Sequence, residues 1–247
     1  VSIVTSSTSE FHGGAPGHHE PPEKVDARQR LGVWLLIGAD VIVVAALLFT
    51  YLYLRGLNTD NHWMTILGYP GKLHTYAEWD NLANNGTLAA PKEIYTGPLS
   101  AGLQWLAAAI TVVAAAVVWW AEKGLRATKN TKAFSALTLF AVAVTIVGVV
   151  ISAIQLKDIP QVFVAANDSL TMSYTAYDSA MMALIGSALI HLVVLAFLGL
   201  GLSIRAARGA ITGDKWYQAR LVRLYFVWVG ISAVVVTLIT TTINTVH

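Results

Sequence analysis

"LGVWLLIGADVIVVAALLFTYLYLR", Leu31 to Arg55, is a long apolar run that carries one acid, Asp40, ten residues in. Leu31 to Leu54 contains no other charged residue. A helix rising 1.5 Å per residue crosses a hydrocarbon core of about 30 Å over this length, so the run reads as a transmembrane helix. An acid near mid-bilayer costs about 2.5 kcal/mol or more if it faces lipid. Asp40 should therefore face neighbouring helices, a watery cavity or a polar partner.

The remaining composition agrees with a membrane protein. Of 247 residues, 55% are apolar and only 12% charged, with eight tryptophans, far from the charge content of a soluble domain. Without cysteine there are no disulfides, thiolate metal sites or cysteine nucleophiles. Four further runs read as spans: Leu99 to Ala121, Ala133 to Leu156, Tyr177 to Ile204 and Leu221 to Ile243. With the first at 31–54, the expectation is an all-α, polytopic bundle of five transmembrane helices. Pro98 precedes the second span, where a missing N–H costs nothing, and Pro160 follows the third as a stop. Residues 1–30, with their Ser/Thr cluster, Gly13-Gly14 and Pro21-Pro22, read as a flexible tail.

Lysines and arginines divide unevenly between the two ends of these spans. The tail, the second loop and the fourth loop, with the adjoining helix ends, hold twelve of the sixteen. Basic residues stay on the cytoplasmic side, so the N-terminus is expected inside and the C-terminus outside. The long connection 56–98 then lies outside. Its Trp63, Tyr69, Tyr76, Trp79 and Tyr95 read as an interfacial aromatic belt. The acids on that side (Asp60, Glu78, Asp80, Glu93, Asp158, Asp168, Asp178) read as solvated surface.

The polar inventory within the spans is short: Asp40, His191, Gln104, Gln155 near a helix end, and scattered serines and threonines. His191 is the one histidine of seven inside a helix core. Asp40 lies nine residues in from Leu31 and His191 eleven in from Leu202, so in antiparallel helices both sit about 13 to 17 Å from the cytoplasmic edge. A hydrogen-bonded Asp40–His191 pair would let both survive away from water. Such a pair is either a proton relay or interhelical glue, and without a third ionisable group leading to either face the residues favour glue. No catalytic residues are expected. A single intramembrane histidine cannot ligate haem on both sides, and His12, His18, His19, His62, His74 and His247 fall in tails or loops. No metal or cofactor site is expected in this chain. Alanine clusters at 107–109 and 114–116, and the Gly148/Ser152 pair, suit close helix packing.

These residues resemble subunit III of the haem-copper terminal oxidases (cytochrome c and quinol oxidase subunit 3), in its five-helix form. That family's first shared helix carries Gly-x-Trp, then apolar residues and a Ser-Glu or Ser-Asp pair; here Gly32-Val33-Trp34 leads to Ala39-Asp40. Its penultimate helix carries Gly-x-His-Gly-x-His-Val, against Gly186 to Leu192, where only the second histidine is matched, by His191. Gln155-Leu156-Lys157-Asp158 approximates the polar cluster after its third shared helix. The last helix departs from the pattern. The family's Trp-His-Phe-x-Asp is replaced by Phe226-Val227-Trp228-Val229-Gly230, so a third buried polar partner is expected to be missing.

The resemblance implies a non-catalytic subunit of a respiratory oxidase in the inner (cytoplasmic) membrane. It would pack on the catalytic subunit I, bind phospholipid in a cleft between helix groups, and support proton uptake. Haem and copper belong to the partner subunits, and no nucleic acid is involved. It further implies that Asp40 and His191 form the polar or lipid-cleft contact, with Gln155, Asp158 and Trp34 as secondary polar contacts. Two other classes are an accessory subunit of nitric oxide reductase and a small membrane transporter. Against the transporter stand the lack of inverted repeats and of a span broken at mid-membrane.

Overall fold

The computed structural model describes residues 22–57, 63–68, 92–95, 97–159, 162–166, 169–212 and 216–243. Five long helices dominate: α1 (Pro22–Gly56), α2 (Ala101–Thr128), α3 (Thr131–Lys157), α4 (Ala176–Ala207) and α5 (Tyr217–Ile243). All five are long and apolar enough to cross a membrane, which makes this a multi-pass membrane protein.

Most helix ends lie outside the expected apolar spans, although α2 starts at Ala101, just inside its own. Ser100, Asn130 and Thr175 cap α2, α3 and α4, their side chains accepting from the backbone N–H groups of Leu103, Ala133 and Asp178. Lys129 takes the left-handed conformation (φ 54°) and closes α2 through its N–H to the Leu125 carbonyl, so two residues suffice to reverse the chain into α3. The end of the expected tail 1–30 is helical from Pro22 onward. α1 already begins at Pro22, with proline in the first turn where its missing N–H is harmless. Residues 1–21 lie outside the described part of the chain.

Packing follows a ring. Each neighbour in the order α1, α4, α3, α2, α5 touches the next, α5 returns to α1, and α4 also meets α5 across the middle. The core beneath the ring is built from Ala114, Val118, Ala141, Leu192, Leu195, Phe226 and Val229. Small residues set the closest approaches. A methyl group on Gly199 of α4 would lie 2.7 Å from Val142 Cγ2 of α3, so only glycine lets these two helices come this near. Buried hydroxyls in the helices return to their own backbone: Thr111, Thr138 and Thr145 donate to the carbonyls four residues back at 2.8 Å, which removes the cost of an unpaired hydroxyl in hydrocarbon. Ser135 and Ser203 instead bond each other's carbonyls across α3 and α4, both at 3.0 Å.

The connections add strands that the sequence pattern did not suggest. β1 (Thr65–Gly68) pairs antiparallel with β2 (Lys92–Tyr95), Thr65 opposite Tyr95, and β3 (Val162–Ala166) pairs with β4 (Ser169–Ser173), Val162 opposite Ser173. β1 lies beside β3. The expected all-α bundle of five helices is thus present, with two small β pairs added at one end.

Candidate functional site

Asp40, on α1, reaches two other helices at once. Its Oδ1 lies 2.6 Å from His191 Nε2 of α4, and its Oδ2 accepts from Trp228 Nε1 of α5, also at 2.6 Å. The structure brings Asp40 and His191 together, each side chain only about an eighth exposed. It also supplies the third partner that the sequence appeared to lack. That partner is Trp228, whose indole N–H is a donor on an otherwise apolar ring.

The remaining bond of the imidazole fixes the protons. His191 Nδ1 lies 2.6 Å from the Ser187 carbonyl, one turn back on α4. A carbonyl only accepts, so Nδ1 carries a hydrogen and donates it. In a neutral ring Nε2 then has a lone pair facing Oδ1, and the short contact requires one proton between them. The pair therefore exists either as imidazolium with carboxylate or as neutral imidazole with carboxylic acid. Both forms have zero net charge, which is what hydrocarbon tolerates. The Trp228 N–H holds Oδ2 in place, while the Ser187 carbonyl orients the ring.

The proposed secondary contacts are elsewhere. Trp34 is 54% exposed and lines a shallow basin with Arg30, Arg220 and Leu224; being six residues before Asp40, it projects from a different part of α1. Asp158 is the exposed C-cap of α3. Gln155 is buried, but it touches neither member of the pair; it lines an internal cavity that His191 also lines.

Two groups lie at the bundle ends. At one, Glu122 of α2 is fully buried, with Arg223 Nη1 of α5 at 2.7 Å from Oε2 and Arg126 Nη1 at 3.7 Å from Oε1. Neither contact has hydrogen-bond geometry, the Arg126 one being too long, so the attraction is chiefly coulombic. Arg126 also stacks on Trp216, its guanidinium 4.3 Å from the ring centre. At the other end Trp63 packs edge-on between Tyr51 (5.5 Å) and Tyr177 (5.8 Å), and its carbonyl accepts from the Tyr177 N–H at 3.1 Å. At 4% exposure Trp63 is a plug over the bundle rather than part of an interfacial belt. Tyr95 is exposed and reaches Met64; Tyr69, Tyr76 and Trp79 lie outside the described residues. Asp178 is also corrected. It is fully buried, not solvated, and accepts from the Thr175 hydroxyl in the cap of α4.

Compared with known proteins, the chain matches no family model and no curated sequence.

Proposed function

We infer that this chain is a non-catalytic accessory subunit of a respiratory haem-copper terminal oxidase, of the subunit III type, which packs on the haem- and copper-bearing subunit and stabilises it. The observation that carries the reading is the three-helix contact of Asp40, His191 and Trp228. Its acid and histidine sit on the first and penultimate helices, where the resemblance puts a shared polar contact, and Trp228 replaces the polar group of the last helix. The ring supports it too. α1 buries only 6% of its apolar window within the chain, leaving Leu35, Ile42, Val43 and Phe49 exposed as a face for a neighbouring subunit or lipid. In this reading the end with Arg126, Arg220 and Arg223 faces the cytoplasm, and phospholipid binds in a cleft between helix groups.

The test is to purify the chain from its own membrane in mild detergent, by a tag on this subunit. Co-purification of a larger polypeptide, haem absorption in the visible spectrum and oxygen consumption support the reading. A colourless protein without companion chains refutes it.

A further inference from the structure

All five helices line one partly open cavity within the bundle, of about 70 Å³. Its lining includes His191 at one limit and, along the walls, Gln104, Thr111, Ser152, Gln155, Ser187 and Ser232. On α4 the lining residues run from His191 to Met181, ten residues, or about 15 Å of helix. The far limit approaches the end of the bundle. Gln104 is in the first turn of α2 and Gln155 in the last turn of α3, while Met181, Leu184 and Ile185 pack against the Tyr51, Trp63 and Tyr177 plug.

A void of this kind is either dry or wet, and its chemistry decides. Roughly 10–15 Å³ holds one water if two or more polar groups are in reach. About five waters at ordinary hydrogen-bond spacing cover 15 Å, and the volume accommodates about that number. The strongest indication is Gln155: the residue is 5% exposed, its side chain lines the cavity, and its Nε2 has no partner in the protein. An amide donor left bare in a membrane interior costs about 1–3 kcal/mol, and a water in this cavity satisfies it. His191, not Asp40, is the member of the pair on the cavity wall.

We propose that this cavity holds a water file that gives the Asp40–His191 pair proton exchange with the Trp63 end of the bundle. In one exchange the Nδ1 hydrogen leaves its bond to the Ser187 carbonyl and passes to an adjacent water of the file, while another hydrogen of the file takes its place on Nδ1, with no change in charge. This supplies the continuation towards a face that the ionisable residues alone do not provide. It concerns the interior of this chain and stands whichever complex the chain belongs to.

The test uses the full chain in lipid bilayers with ¹⁵N-labelled histidine and water-edited solid-state NMR, His191 being assigned by its loss in His191→Asn. Water magnetisation is expected to reach the His191 ring as quickly as it reaches loop histidines. In Ser232→Leu and Ala107→Leu, which fill the cavity from two helices, transfer should slow by an order of magnitude or more while the histidine shifts stay in place. Gln155→Leu, which adds no bulk, should slow it several-fold. Transfer in the native chain no faster than to buried methyl groups means a dry cavity and overturns the proposal. So does native-like transfer in Gln155→Leu. Should the filled variants not fold, the native and Gln155→Leu measurements decide.

Discussion

Replacing Asp40 by asparagine and by leucine separates hydrogen bonding from charge at the centre of the bundle. In Asp40→Asn, the amide oxygen can accept from Trp228 Nε1 and the NH₂ can donate to His191 Nε2, whose lone pair is free because Nδ1 holds its hydrogen against the Ser187 carbonyl. Every bond is kept, and the shared proton is gone. In Asp40→Leu both 2.6 Å contacts disappear, leaving Nε2 and the indole N–H bare. Intramembrane hydrogen bonds contribute about 0.6 kcal/mol on average and up to about 1.7. Two short bonds to an acid lie near the upper value, so leucine should cost about 2–3 kcal/mol, a factor of roughly 30 to 150 in the folding equilibrium. Asparagine should cost under about 1 kcal/mol. Unfolding by SDS titration in mixed micelles measures both, and the ¹⁵N spectrum of the asparagine variant should show a neutral ring protonated on Nδ1. Equal destabilisation by asparagine and leucine, or a ring protonated on Nε2, refutes the assignment of donors and acceptors.

Other substitutions probe the remaining contacts. Trp228→Phe keeps an aromatic ring, though a smaller one, and removes one donor from Asp40, and should cost about 1–2 kcal/mol in the same titration; the loss should shrink when combined with Asp40→Leu. Gly199→Leu drives a side chain into Val142, and overpacking of this kind costs about 1–3 kcal/mol, read as a lower midpoint of detergent unfolding. Arg223→Ala strands the buried Glu122 and should destabilise by about 3–5 kcal/mol, whereas the combined Glu122→Gln and Arg223→Met replacement should recover most of that; thermal unfolding in detergent distinguishes them.

Much of this could be read from the residues because membrane insertion simplifies the problem. Apolar length gives the spans, and counting from span ends placed Asp40 and His191 at one depth, where the structure joins them. Trp228 escaped notice for a physical reason. Tryptophan counts as apolar in any hydropathy sum, and its single donor shows only once a neighbour's acceptor faces it. Asp178 and Glu122 were hidden by position: Asp178 lies in the first turn of α4 and Glu122 just past the apolar run of α2, where acids are ordinarily solvated, and their burial depends on the cap of α4 and on Arg223 of a distant helix. The plug formed by Trp63 rests on contacts to Tyr51 and Tyr177 that no local pattern encodes. Neither did periodicity mark the strand pairs, whose register is a matter of contacts between segments.

The ring order carries a consequence for biosynthesis. α1 is made first, yet among the long helices its neighbours are α4 and α5; His191 follows Asp40 by 151 residues and Trp228 by 188. At about 5–20 residues per second of synthesis, the acid waits roughly 8 to 30 s in the bilayer before the first companion, His191, emerges from the ribosome. Its helix must hold position alone during that interval. The leucines, valines and isoleucines flanking Asp40, each favouring insertion by about 0.3–0.6 kcal/mol, thus anchor a nascent segment whose most polar atom is still unmatched, and the late arrival of α4 and α5 latches it in register.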